Sequence, residues 1–355
     1  LVDYVDEHYP TVKDRTGRGI MGLSMGGHGA LLLTAKHPDV FGSASSMSGI
    51  LKISNHPGKW TIAEKLGPLD QNRQLWEANS VWDQAERFKD ANVRILFDCG
   101  VEDTKTGAIG DNRELHEKLT ALKIPHIWRE MPGTHSWKYW RRHLESHMNF
   151  HQAAMLEASP SGDRWFQLYY KRIREFLDEN ARLTIEPATG TTVCILGSSS
   201  MHGFPSNLLP GVRVFNRGIS SDQLGVGRRG VSRRLECSAL DMKPNFIFIK
   251  NGRNNMQAAK DQGKPYMDNL IREYEKIVTT IQERLPATHI YIVTCAPTRD
   301  KYERIAAPTA EYNRHLRKLA ARLGVGLVDL HKELVGENNL LKQEFSRDGL
   351  HLSPA

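Results

Sequence analysis

The sequence predicts two consecutive α/β domains, each built on a parallel sheet. Short apolar runs alternate with helical periods in both halves of the chain. Its 355 residues are long for one compact domain and comfortable for two. A change of composition at Glu157-Ala158-Ser159-Pro160-Ser161-Gly162 marks a linker, giving expected domains at 1–157 and 163–355.

In the first half, Arg18 to Gly22 reads as a short buried strand running into a tight turn at Ser24. Gly26 to His37 follows as a helix, with Ala30, Leu31, Leu33 and Ala35 expected to pack on the sheet. Phe41 to Ser48, Val93 to Asp98 and His126 to Met131 are further strands. Asn112 to Leu122 is a helix on the spacing of Leu115, Leu119 and Leu122. A helix from about Arg164 to Asn180, striped by Phe166, Tyr169, Ile173 and Phe176, is expected to lead the second domain. Strands then follow at 193–196, 246–249, 290–293 and 325–329, with helices at 268–285 and 309–323 between them. The halves share an architecture but no sequence period.

Composition removes several function classes. Hydrophobic content of 39% and charged content of 25% are ordinary for a globular protein. No apolar run approaches the roughly 18–20 residues that span a bilayer, so no membrane partner is expected. The formal charge of +7 concentrates at Arg228-Arg229 and Arg233-Arg234 without aromatic platforms, so no nucleic-acid partner is expected and this run reads as a solvated helix face. Cys99, Cys194, Cys237 and Cys295 have neither disulfide nor zinc spacing, and no metal or other cofactor is expected. The chain opens on Leu1 and closes just after a motif that belongs inside a domain. It therefore reads as a piece of a longer protein, with any signal region outside it.

Two constellations carry chemistry. The first is Gly22-Leu23-Ser24-Met25-Gly26, a serine between glycines where a strand turns into a helix. Small neighbours suit a strained turn, and the helix N-terminus offers the Met25 N–H to a developing oxyanion. Asp103 and His135 follow strands 93–98 and 126–131, beyond their carboxyl ends, where open α/β sheets place their sites. Serine, acid and base then come in that order; Asp98, Glu102 and Asp111 are the rival carboxylates. A glycine turn with an incidental loop histidine is the plain alternative.

Residues 1–150 resemble the esterase D and carbohydrate-esterase group of α/β-hydrolases, which includes feruloyl esterases, acetylxylan esterases and S-formylglutathione hydrolases. The matching residues are Gly22-Leu23-Ser24-Met25-Gly26-Gly27, His37-Pro38-Asp39-Val40-Phe41, Ser48-Gly49, and Gly133-Thr134-His135-Ser136-Trp137 with Trp140. The resemblance implies Ser24 as nucleophile, Asp103 as acid and His135 as base. That group places further strands before the nucleophile strand, and a loop among them supplies a second oxyanion donor. The chain opens after them, so a partial α/β-hydrolase domain is expected.

The second constellation is Leu196-Gly197-Ser198-Ser199-Ser200 with Asp348 and His351, three residues apart so that the carboxylate can hold the imidazole. Asn216-Arg217-Gly218-Ile219-Ser220 and Asn251-Gly252-Arg253-Asn254-Asn255 lie between, and a glycine N–H and an asparagine amide are suitable oxyanion donors. A serine-rich loop with an unrelated Asp–His pair is the plain alternative. Four blocks in this order resemble the GDSL or SGNH hydrolases over residues 163–355. The resemblance implies a flavodoxin-like three-layer α/β/α domain with Ser199 as nucleophile, Asp348 as acid and His351 as base. Gly218, Asn254 and the Ser199 amide are the implied oxyanion donors. Ser198 stands where that family usually has aspartate, and Asn255 where aspartate commonly follows the asparagine. Ser198 and Ser200 stay open as nucleophiles.

His28, His202 and His315 are read as structural or exposed, not as ligands. Trp137, Tyr139 and Trp140 beside His135 either line an aryl or sugar pocket or pack the following helix. Arg217 and Arg253 flank the second site as substrate contacts or salt-bridge partners. The sequence thus predicts a bifunctional serine carboxylic-ester hydrolase without cofactor. Its expected substrate is acylated carbohydrate such as plant polysaccharide bearing acetyl or feruloyl groups, a substrate that implies a secreted or periplasmic protein. A thioesterase or lipid esterase is the alternative, as is a single active second domain beside a non-catalytic first. The second constellation, with nucleophile, donors, acid and base all present, is expected to be the more complete.

Overall fold

The computed structural model describes residues 1–156, 163–207, 210–225 and 229–353. The expected linker at 157–162 and Arg228 lie outside the described residues. The chain divides into two compact units, Leu1–Pro187 and Ala188–Ala355.

The first unit is a four-stranded parallel sheet in chain order: β1 (Gly19–Leu23), β2 (Ser43–Met47), β3 (Arg94–Gly100) and β4 (Ile127–Met131). Parallel neighbours need crossovers, and the helices Met25–Lys36 and Ala108–Ala121 supply two of them. Both close over one face of the sheet, where Leu31, Leu32 and Leu115 meet Ala44, Ile95 and Phe97. Leu33 is 45% exposed; Leu32 takes the sheet-facing position the sequence reading gave to Leu33. The helix Trp137–Ala154 covers Met47 and Met131 on the other face with Tyr139 and Trp140.

The helix Arg164–Leu183 differs from expectation. It packs on Trp137–Ala154 within the first unit rather than leading the second. Its stripe of Tyr169, Ile173, Phe176 and Leu177 is buried, and Asp178 forms a two-bond ion pair with Arg94 at the start of β3 (2.9 and 3.2 Å). The unit boundary therefore falls at 187/188, not at 157/163. An amphipathic stripe states that a helix needs an apolar neighbour, but not which one.

The second unit is a five-stranded parallel sheet. β5 (Thr191–Gly197) lies between β6 (Val212–Gly218) and β7 (Phe246–Lys250), followed outward by β8 (His289–Val293) and β9 (Gly326–Val328). Numbered from β5, the order is 2-1-3-4-5, that of flavodoxin-like doubly wound sheets. β6 was not read as a strand: Arg213, Asn216 and Arg217 interrupt its apolar residues, a pattern that an edge strand tolerates. The helices Lys264–Arg284 and Ala306–Leu323 bury Leu270, Tyr274, Ile277, Leu316 and Leu319 against Leu196, Ile247, Ile249 and Ile292. Val193 and Ile195 face the other way, with Met201, Phe204 and Phe248. The order reverses at β5, which places the β5 and β7 carboxyl ends beside a crevice suited to a site. All four cysteines are buried thiols, and no helix among the described residues is long and apolar enough to cross a membrane.

Candidate active sites

Ser24 sits directly after β1 with φ 54° and ψ −125°, a positive φ that an L-residue rarely holds, and it caps the helix Met25–Lys36. The surroundings impose this turn. A Cβ on Gly22 would lie 2.3 Å from the Gly26 carbonyl, and one on Gly27 would lie 2.3 Å from Ser46 Oγ. A Cβ on Gly26 would meet no atom within 4 Å, so space demands Gly22 but not the second glycine of the motif. Met25 opens the helix, so its N–H is among those a first turn leaves without an intrahelical acceptor.

The acid and base loops are joined backbone to backbone. Val101 N–H donates to Met131 O (2.9 Å) and Glu102 N–H to Gly133 O (3.1 Å), while the Glu102 carboxylate accepts from Gly133 N–H. A Cβ on Gly100 would stand 2.1 Å from Gly133 O. From this junction Asp103, 2% exposed, accepts a hydrogen bond from Thr106 Oγ1 and another from His135 Nδ1 at 2.7 Å. Nε2 of the same ring is 2.9 Å from Ser24 Oγ. With Nδ1–H given to Asp103, Nε2 is left to accept the Ser24 proton. Ser24, His135 and Asp103 are thus one continuous relay.

The rival carboxylates are engaged elsewhere. Glu102 braces the loop junction. Asp98 accepts from Tyr139 Oη (3.0 Å) and His147 Nε2 (2.9 Å); burial works against its charge, but His147 and Tyr139 outweigh it and hold its pKa below the ordinary value. Asp111 accepts from Asn55 Nδ2 (2.9 Å) and hydrogen-bonds His56 Nε2 (2.8 Å). Of the aromatic trio, Tyr139 and Trp140 are buried and serve packing, with the Trp140 ring edge-on to His135 at 5.0 Å. Trp137 is 62% exposed and lies 5.3 Å from Trp140, ring centre to ring centre. His28 is a core residue hydrogen-bonded to Ile50 O, with its pKa lowered by burial.

The second constellation is differently assembled. Ser199 opens the helix Ser199–His202 directly after β5, and that helix rides on β6: a Cβ on Gly218 would be 2.0 Å from His202 N. His351 Nδ1 and Asp348 Oδ2 are 2.8 Å apart, while Asp348 Oδ1 accepts from the N–H groups of His351 (2.7 Å) and Leu350 (2.9 Å). Slight burial opposes ionisation, but these hydrogen bonds prevail and hold Asp348 well below the carboxylate range. Arg253, 7% exposed, donates to Leu350 O at 2.7 Å and so tethers the acid–base loop; among the described residues it forms no salt bridge. Arg217 is fully buried, with its guanidinium on Met242 Sδ (2.8 and 3.2 Å) rather than at the surface beside the serine.

The structure does not close this second group. Among the described residues, no hydrogen bond joins His351 to Ser198, Ser199 or Ser200, and the His351 side chain is 48% exposed. Asn254 Nδ2 donates to Asp222 O (2.7 Å), leaving its second N–H for a ligand. Gly218 N–H donates to Asn216 Oδ1 at 3.0 Å, so this expected donor is already engaged. Asn255 is structural, accepting from Leu224 N–H (3.2 Å) and hydrogen-bonding Tyr266 Oη (2.9 Å). Arg234, read as part of a solvated basic face, is instead 2% exposed and paired with Asp222 at 2.7 Å. Nothing in the arginine pairs at 228–229 and 233–234 signals that Arg234 turns inward. Among the described residues no cluster of His, Cys, Asp or Glu is arranged to hold a metal.

Residues 1–151 match the family model Esterase, described as "Putative esterase", and residues 198–355 match that of the GDSL-like Lipase/Acylhydrolase family. Among curated proteins, the chain is 29% identical over 158 residues to a diacylglycerol acyltransferase/mycolyltransferase Ag85B of Mycolicibacterium smegmatis, covering 37% of this chain and 49% of that protein. The chain spans about half or less of the length of the curated relatives it matches. Among solved structures, a ferulic acid esterase is 25% identical with a TM-score of 0.37, covering 43% of this chain and 58% of that one. A GDSL-like lipase from Bacteroides thetaiotaomicron is 17% identical with a TM-score of 0.42, covering 51% and 89%. The chain therefore carries an Esterase-family domain at residues 1–151 followed by a GDSL-like lipase/acylhydrolase-family domain at residues 198–355.

Proposed function

We propose that the chain is a serine carboxylic-ester hydrolase with a reaction centre in each unit, acting on acylated carbohydrate. The observation that carries the chemistry is the hydrogen-bonded path Ser24–His135–Asp103 (2.9 and 2.7 Å). Ser24 Oγ attacks the ester carbonyl as its proton passes to His135 Nε2, and Asp103 steadies the imidazolium. The oxyanion takes the Met25 N–H. Collapse expels the alcohol, protonated by His135; water, deprotonated by the same ring, then attacks the acyl-enzyme and releases the acid. Ser199, His351 and Asp348 are assigned the same roles in the second unit, with Asn254 as an oxyanion donor; their reaction requires the serine and the exposed imidazole to meet.

The carbohydrate reading rests on the resemblance of residues 1–150 to carbohydrate esterases and on Trp137. This exposed indole beside the base offers a flat apolar face to a sugar ring or an aryl acyl group. Acetyl or feruloyl release from plant polysaccharide is the specific form proposed, with a secreted or periplasmic setting. Ser24→Ala and Ser199→Ala, assayed on aryl acetate, methyl ferulate and acetylated xylan, test it. Each variant is expected to lose a distinct part of the turnover. If either variant removes none of it, the two-centre reading fails. A preference for long acyl thioesters over acetylated sugars would sink the carbohydrate assignment.

A further inference from the structure

Arg234 and Asp222 form an ion pair in which both side chains are fully inaccessible to solvent, and neither belongs to the acid, base or nucleophile set. A guanidinium has five N–H donors in a rigid planar fork. Here five hydrogen bonds to four acceptor atoms engage them. Nε and Nη2 donate to Asp222 Oδ2 (2.9 and 2.7 Å), Nη2 also to Gly197 O (3.1 Å), and Nη1 to Arg217 O (2.9 Å) and Ser238 Oγ (2.7 Å). Gly197 ends β5 and leads into the serine turn. Arg217 O belongs to the peptide whose other end is the Gly218 N–H. Asp222 O in turn accepts Asn254 Nδ2 at 2.7 Å.

We propose that the Arg234–Asp222 pair is the positioning device of the second reaction centre: one buried guanidinium sets the spacing of the serine turn, the Gly218 peptide and the Asn254 amide. This rests on the reading of Ser199 as nucleophile. The ends of β5, β6 and β7 are joined by the sheet ladder, and Ile219 N–H donates to Gly197 O (3.1 Å), but the ladder stops at the strand ends and the loop carrying Asp222 lies beyond it. Arg234 supplies the common anchor. Its fork also explains why the charge is retained in the core. An ammonium offers three donors from one point and cannot reach Gly197 O, Arg217 O and the carboxylate in one plane. Groups positioned in this way act on the transition state more than on substrate binding.

The experiment uses the full chain carrying Ser24→Ala, with aryl acetate as substrate, so that Ser199 is the remaining nucleophile. Arg234→Lys is expected to lower kcat by roughly 10²-fold with KM changed less than about threefold. Asp222→Asn is expected to act in the same direction. Ser238→Ala, which removes one acceptor and leaves the ion pair, is expected to lower kcat by about threefold and keeps the test open if the charge variants do not fold. A second readout is the affinity for an arylboronic acid, which forms a tetrahedral anion on the serine. It should weaken in proportion to kcat, a change that a purely structural role would not produce per folded molecule. Unchanged kcat and boronate affinity in folded Ser238→Ala and Asp222→Asn overturn the proposal alone. Absence of Ser199-dependent turnover in the Ser24→Ala parent overturns both it and the functional reading beneath it.

Discussion

The two reaction centres place the same three residue types on parallel sheets, yet they are held together in different ways. In the first unit the acid and base loops follow neighbouring strands, β3 and β4, and lock to each other through Gly100 and Gly133. Ser24 is fixed on the β1 turn, and the relay closes at 2.9 and 2.7 Å. In the second unit acid and base share one loop three residues apart, so their mutual geometry is local, while their approach to Ser199 is not. That loop is tethered by Arg253 to Leu350 O and by Arg299 N–H to Gly349 O (3.0 Å). The lesson is that a short Asp–His spacing secures the pair but not the meeting of the pair with its serine. The sequence reading expected the second centre to be the more complete; in the structure the first is the closed one.

The largest test of this contrast is chemical labelling. A fluorophosphonate, whose phosphorus loses fluoride to an activated serine, is expected to modify Ser24 at least ~10-fold faster than Ser199, read by peptide mass spectrometry. His135→Ala should cut Ser24-dependent turnover by ~10³-fold or more and leave Ser199 labelling alone. Faster labelling of Ser199 would reverse the comparison.

Next in size is the loop junction. Gly100→Ala places a Cβ 2.1 Å from Gly133 O and must part the acid loop from the base loop. Ser24-dependent kcat is expected to fall by roughly 10- to 100-fold, since a displacement of about 1 Å can cost that much. Ser199-dependent turnover should not change. Gly26→Ala, where a Cβ meets nothing within 4 Å, is the internal control; it should keep activity and gain up to about 1 kcal/mol of helix stability.

The units also differ in their response to acid. In the first, burial pushes His126 down to about 4 and His151 to about 3, with His116 and His147 adding repulsion in turn. Both rings are neutral in the folded state and titrate near 6.5 when unfolded. The stability they confer is therefore complete above pH 6.5 and is lost as pH falls toward 4 and then 3, a few kcal/mol in all. All seven tryptophans fall within residues 1–187, so indole fluorescence during urea unfolding reports the first unit alone. A fluorescence midpoint that stays flat between pH 6.5 and 4 would contradict this.

The smallest expected effect lies in the second unit. Burial, reinforced by Arg253, pushes Lys250 down to about 8. A protonated Lys250 is thus a liability below pH 8 that is relieved as pH rises toward its unfolded value of 10.5. Lys250→Met should stabilise this unit by about 1–2 kcal/mol at pH 7, with the gain vanishing above pH 10.5. The second unit holds no tryptophan, so the part of the far-UV circular dichroism change that has no counterpart in indole fluorescence reports its transition. Destabilisation at pH 7 would give the lysine a role that burial alone does not explain.

Of the nine strands among the described residues, eight were legible in the sequence, because buried parallel strands read as short apolar runs between turn residues. β6 was not, since its polar residues are tolerated only at an edge, and edges are settled by the order of the whole sheet. The serine turns and the Asp–His loops were legible for a similar reason: strain, small neighbours and short spacing are local properties. Four things waited for the tertiary structure. These were the engagement of the rival carboxylates Asp98 and Asp111 away from His135, the exposure of Trp137, the placement of Arg164–Leu183 in the first unit, and the burial of Arg234. Apart from the exposure of Trp137, each depends on partners 12 to 84 residues away. The sequence by itself determined which residues could react. Only the packing of distant segments decided which of them meet, because hydrogen-bond distance is a property of space and not of spacing along the chain.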